Sequence, residues 1–113
     1  MENTFITITG IKCYYGFKPF RVGQIFKIHK DENNEYDCEA ISAELPMIGT
    51  IGYVANSPST VYGGTVSAGR LYDKIGDFAY ARTMFITRSS IIAAVVSPEE
   101  AEAGMNTDDV ISF

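Results

Sequence analysis

Asn34, Tyr36 and Asp37, within the stretch NNEYDCEAI, set an amide, an aromatic ring and a carboxylate within four residues, just ahead of an apolar alternation. A turn alone needs only the asparagines, which bond their own backbone and tolerate left-handed conformations. The adjacent ring and acid are groups that can meet a ligand, so the pair is read as part of a binding pocket. Tyr14 and Tyr15 close the first strand-like run, and Tyr53 closes the fourth. Tyrosine joins an apolar body to a hydroxyl that needs a partner when buried, so tyrosines at strand ends gather at sheet rims. On a small barrel such rims can stack nucleobases, with nearby cations for the backbone. They can equally be the packed edge of a core, and the residues alone leave both readings open.

Other chemistries find less support. Cys13, His29 and Cys38 are the only soft metal ligands, and their spacing lacks the close pairs of a zinc site, so no metal or cofactor is expected. With one histidine, a Cys-His or Ser-His nucleophile system could run only through His29. Gly63-Gly64-Thr65 could offer backbone N–H groups to an anion, but the phosphate-loop spacing and its lysine are missing, and a turn accounts for the glycines. Asp31, Glu32, Glu35 and Glu39 do not follow the alternate-position pattern of a calcium loop and read as a solvated turn.

These groups are carried by 113 residues, enough for one core and too few for two. The 46% hydrophobic content matches an ordinary globule. No apolar run reaches the ~18 to 20 residues of a membrane span, and MENTFITITG lacks a charged secretory n-region, so a cytoplasmic location is expected, with both cysteines reduced. The formal charge of -5 is unevenly spread. Residues 1–30 hold five basic side chains against Glu2, residues 31–44 hold six acids and no base, and five more acids follow Ser97. A basic face from Lys12, Lys18, Arg21, Arg70 and Arg82 is compatible with this distribution.

The alternations predict strands over Phe5–Cys13, Gln24–Lys30 (Phe26 and Ile28 inward, Lys27 and His29 outward), Ala40–Leu45, Thr50–Val54, Phe78–Thr87 and Ile91–Val96. The acidic segment becomes a hairpin connector. Ser57-Pro58 reads as a helix start cut short by Gly63-Gly64. A second helix begins near Thr65 or Ser67, with Ala68, Leu71 and Ile75 as its apolar stripe and Gly76 as its stop. The expected fold is mainly β: a small OB-like barrel of five to six strands with a short helical insertion of two helices. It occupies residues 1–97, and residues 98–113 form an acidic tail, either mobile or weakly helical over Pro98 to Ala103. Closely spaced strands exclude helical crossovers and a doubly wound parallel sheet.

Three segments resemble the HIRAN family, found at the N-termini of certain DNA-repair helicases and as stand-alone bacterial proteins. They are Gly10–Gly16 (GIKCYYG), Asn34–Ile41 (NEYDCEAI, similar to the family's N-x-Y-D-x-x-A-I) and Gly49–Val54 (GTIGYV). The similarity spans roughly residues 4–96. The resemblance implies an OB-like barrel that captures the 3′-hydroxyl end of single-stranded DNA. Tyr14 would stack on a terminal base, Asn34 and Tyr36 would line the pocket, Asp37 would accept a hydrogen bond from the 3′-hydroxyl, and Tyr53 would fall at a pocket position. Lys12, Tyr15 and Asn56 complete the implied nucleic-acid-binding set. The sequence departs from the helicase versions where Cys13 replaces Arg and Asn56 replaces a phosphate-facing Lys, which removes salt-dependent affinity. A protein-interaction or self-assembly module on the same barrel, whether with a protein partner or as a homo-oligomer, is the alternative. A hydrolase of phosphate esters or acid anhydrides is a third, without a Walker motif or metal triad to support it.

Overall fold

The computed structural model of the chain describes residues 4–111, with side chains as far as residue 104. Six strands, β1 (Phe5–Thr9), β2 (Ile25–Lys30), β3 (Ile41–Leu45), β4 (Gly49–Val54), β5 (Phe78–Ile86) and β6 (Ile91–Val96), close into an antiparallel barrel in the order β1-β4-β3-β2-β5-β6. Closure falls on β1, which pairs with β4 through Ile8–Val54 and with β6 from Phe5–Ala94 to Ile8–Ile91. Antiparallel partners share a face, so the period-two alternation of the sequence sorts the residues into two shells. Ile6, Ile8, Phe26, Ile28, Ile41, Ala43, Ala81, Ile91 and Ala93 fill the interior. The expected barrel and the expected orientation of β2 are both present.

Gly52 fits a tight point in this interior. A Cβ there would lie 2.7 Å from Ile8 Cγ2, 3.1 Å from Ile11 Cγ2 and 3.0 Å from the Thr9 carbonyl oxygen. The first strand is shorter than its alternation suggests. Gly10 adopts a left-handed φ of 70°, β1 ends at Thr9, and a 3-10 turn follows over Ile11–Cys13. The turn buries Ile11 against the core, and its carbonyl accepts from the Tyr14 and Gly16 amides. Tyr14 and Tyr15 therefore sit beyond a turn and not on the end of a strand.

The insertion between β4 and β5 differs in part from expectation. No helix forms at Ser57. Its carbonyl accepts from the amides of Thr60 and Val61, and its Oγ accepts from the amide of Ser59, which satisfies a single turn. The chain cannot continue that turn, because the Tyr62 amide donates to Thr7 Oγ1 at 3.1 Å and the two glycines follow. The helix expected next is α1 (Ala68–Tyr72), with Ser67 as N-cap accepting from the Arg70 amide. It ends at Asp73, short of Gly76. Ala68 and Leu71 are fully buried and Ile75 packs against the same core, so the predicted stripe forms although the helix is only five residues long. The second helix, α2 (Pro98–Ile111), lies after the barrel. Ala101 is fully buried with Ile25 and Val96, and Tyr80 packs beside them, so the start of the segment read as a tail is docked on the wall. No helix among the described residues is long and apolar enough to cross a membrane.

Two substitutions test this packing. Gly52→Ala inserts a methyl group against a backbone oxygen and two core isoleucines, and should lower unfolding stability by about 1 to 3 kcal/mol in urea titration. Thr83 pairs with Ala93 inside the barrel, and its Oγ1 is a buried side-chain oxygen without a hydrogen-bond partner among the described residues. Replacement by the isosteric valine removes that hydroxyl, so Thr83→Val should raise stability by about 1 kcal/mol.

Candidate functional site

Tyr53 faces outward on β4. Its partners across the ladder are Thr9 and Ser42, while the preceding Gly52 pairs with the interior Ala43. The 3-10 turn brings Tyr14 to it, with ring centroids 6.2 Å apart and planes tilted by 39°. The Tyr53 hydroxyl donates to Asp31 Oδ2 at 2.8 Å, at the foot of the β2–β3 connector. Loss of water around the ring and, second, the Asp31 carboxylate raise the Tyr53 pKa well above the usual tyrosine range. The phenol is therefore held as a neutral donor.

The connector continues the network. Asn34 Oδ1 accepts from the amides of Tyr36 and Asp37, both at 2.9 Å, and its Nδ2 donates to Asp31 Oδ2 at 3.4 Å. That is the side-chain turn chemistry anticipated for asparagine at this place. It fixes the direction in which the chain delivers Asp37. Asp37 Oδ1 accepts from the Glu39 amide at 2.9 Å, and its Oδ2 accepts from Asn56 Nδ2 at 3.0 Å. Asn56 Oδ1 in turn accepts from the Gly69 amide at 2.8 Å, in the first turn of α1.

A chain of contacts thus runs Tyr14, Tyr53, Asp31, Asn34, Asp37, Asn56 and α1, drawing together residues from four separated parts of the sequence. Five of the eight sequence-derived candidates are members: Tyr14, Asn34, Asp37, Tyr53 and Asn56. Tyr36 joins through its backbone only. Its ring is 94% exposed and has no ring or hydrogen-bond partner among the described residues. Lys12 and Tyr15 lie exposed on the 3-10 turn and just after it, outside the network. Asp31, read from sequence as a solvated turn acid, is instead the link between the two halves of the site. Its partner lies 22 positions away, and no local pattern signals such a contact.

Cys13 and Cys38 are free and exposed, and no group of three His, Cys, Asp or Glu among the described residues is placed to hold a metal ion. An ionised carboxylate offers about four acceptor positions, and Asp37 uses one on each oxygen within the protein. The surface therefore combines tyrosine rings, a phenol whose one O–H is committed to Asp31, and a carboxylate with acceptor capacity to spare. Cations are few around it: Lys12 two residues before Tyr14, Lys30 next to Asp31 with its ammonium 4.4 Å from the Tyr72 ring centroid, and Arg70 one residue beyond the Gly69 amide. No protein-family model, no curated protein and no solved structure matches this chain.

The Asp31–Tyr53 bond has a measurable consequence. Because the Tyr53 pKa is raised in the folded state, the unfolded chain loses this proton first as pH rises, and the contribution to stability is lost above about pH 10. In ultraviolet absorbance titration of tyrosinate Tyr53 should ionise later than the tyrosines other than Tyr72, whose pKa is also raised, first by desolvation. Asp31→Asn should bring it back toward the others and lessen the alkaline loss of stability.

Proposed function

We propose that the protein is a non-enzymatic module that binds the 3′-hydroxyl end of single-stranded DNA across the Tyr14–Tyr53 and Asp37–Asn56 surface. The observation that carries this reading is the pre-set carboxylate of Asp37. Its oxygens are oriented by the Glu39 amide and Asn56 and keep free acceptor positions, and the same contact network carries the exposed Tyr14 ring. A sugar hydroxyl is a donor in search of an acceptor, and a terminal base is a plane in search of a ring. Tyr14, 41% exposed and resting against Tyr53, supplies the ring. The resemblance of GIKCYYG and NEYDCEAI to the HIRAN segments supports the same assignment of roles.

The scarcity of cations favours a second reading, a protein-interaction module that presents the acidic connector to a basic partner. Residues 31–39 carry five carboxylates and no base. Charge of that sign repels phosphates and attracts lysine and arginine.

The two readings separate in one titration. A short single strand with a free 3′-hydroxyl should bind more tightly than the same strand ending in a 3′-phosphate, whose charge would oppose Asp37. Stacking is worth roughly 1 to 3 kcal/mol per base, so Tyr14→Ala should weaken binding about five- to a hundredfold. Asp37→Asn should narrow the preference between the two ends. Salt dependence should be shallow, since few phosphates meet a cation. Fluorescence anisotropy at low salt decides the matter: equal affinity for both strands, or no binding at high micromolar protein, removes end recognition and leaves the acidic docking module.

A further inference from the structure

A second site lies on a different part of the outer wall. Thr7, Ile92 and Phe85 pair with one another across β1, β6 and β5 and face outward, since the adjoining Ile6 and Ala93 belong to the interior. Residues 62–65 pass over this wall and are pinned to it. Thr7 Oγ1 lies 2.8 Å from Thr65 Oγ1 and accepts from the Tyr62 amide, and the Phe5 carbonyl accepts from the Val66 amide at 2.7 Å. Thr7 is only 1% exposed as a result. Between loop and wall remains a cavity of about 430 Å³, lined chiefly by Phe5, Ile92, Phe85, Tyr62, Gly63 and Gly64.

Three properties define what would fit. The first is size: an apolar cavity of about 150 Å³ accommodates one benzene, so this one has room for two or three rings and falls within the range of small-molecule sites. The second is charge. Among the described residues no acidic, basic or histidine side chain lines the cavity, and an ionised group placed inside would meet no compensating charge from them. The third is shape, for three aromatic side chains and one isoleucine form the apolar walls, and Tyr62 and Phe85 are 58% and 60% exposed.

The loop glycines add an independent observation. Gly64 has a φ of 88° and needs to be glycine for its conformation. Gly63 has no such φ, and a Cβ added to it would meet nothing within 4 Å. Gly63, which also lines the cavity, adds no side chain to that space. The amides of both glycines also lack a hydrogen-bond partner among the described residues. They stand as donors for a polar atom on the ligand.

We propose that this cavity is a binding site for a compact, uncharged, planar aromatic molecule of two or three fused rings bearing a hydrogen-bond acceptor. The cavity lining shares no residue with the Tyr14–Asp37–Asn56 surface. The probe is 2-naphthol, titrated into isotopically labelled protein and followed through amide chemical shifts, with decahydro-2-naphthol and 2-naphthoate as comparisons.

Saturable shifts at Gly63, Gly64, Phe85 and Ile92 are expected from 2-naphthol, with each comparison compound at least about fivefold weaker. Phe85→Ala, at an exposed position, removes one wall, and Ile92→Trp fills the space. Each should weaken the probe by about tenfold or more, with Phe85→Ala leaving the melting temperature unchanged. No saturation at millimolar probe overturns the proposal. So does equal affinity for the non-planar or the charged analogue, undiminished affinity in Phe85→Ala, or shifts located elsewhere on the barrel.

Discussion

The double pairing of β1, to β4 on one edge and β6 on the other, is the constraint on which the rest of the molecule depends. It removes the exposed edges that an open six-stranded sheet would offer and forces a strict division between inward and outward side chains. The interior is filled by small and branched residues, Ala43, Ala81 and Ala93 beside Ile6, Ile8, Ile28, Ile41 and Ile91. So full an interior leaves no room at Gly52 for a side chain, and the candidate surfaces lie on the outer wall. Both surfaces described above are built there, by segments laid over the barrel and anchored to it.

Anchoring is done by few polar contacts, and each one ties distant parts of the chain. The 3-10 turn and the β2–β3 connector meet through Tyr53, whose hydroxyl is bound to Asp31 and whose ring meets Tyr14. The connector and α1 meet through Asn56, which donates to Asp37 and accepts from Gly69. The loop over the cavity is fixed by Thr7, an outward residue buried by what it holds. In each case a buried or half-buried polar atom has its partner supplied from another element, so losing either member leaves a desolvated group unpaired.

What could be read from the sequence was what depends on near neighbours. The period-two runs around Phe26 and Ile28, or Ile41 and Ala43, revealed strands and their inner faces because a half-buried strand imposes that alternation. Asn34 was readable as a turn former because its side chain bonds amides two and three residues on. The Ser57-Pro58 signal misled for the same reason: cap chemistry is common to a single turn and a full helix, and the pull of Thr7 on the Tyr62 amide lies 55 positions away. The 3-10 turn after Gly10 was hidden because its driving force, burial of Ile11 against the core, exists only in the closed barrel. Asp31 and Ala101 were invisible on the same ground. One depends on Tyr53, the other on Ile25 and Val96.

The central claim is that the Tyr14–Tyr53 rings and the Asp37–Asn56 pair act together as one surface for a nucleic-acid end. Amide chemical-shift mapping with a short oligothymidylate bearing a free 3′-hydroxyl tests it most directly. The account predicts shifts concentrated at Tyr14, Tyr15, residues 34–39, Tyr53, Asn56 and Gly69, with the Asn56 side-chain amide among the most affected. Shifts spread over the basic residues without a focus at Asp37, or none at saturating oligonucleotide, would contradict it.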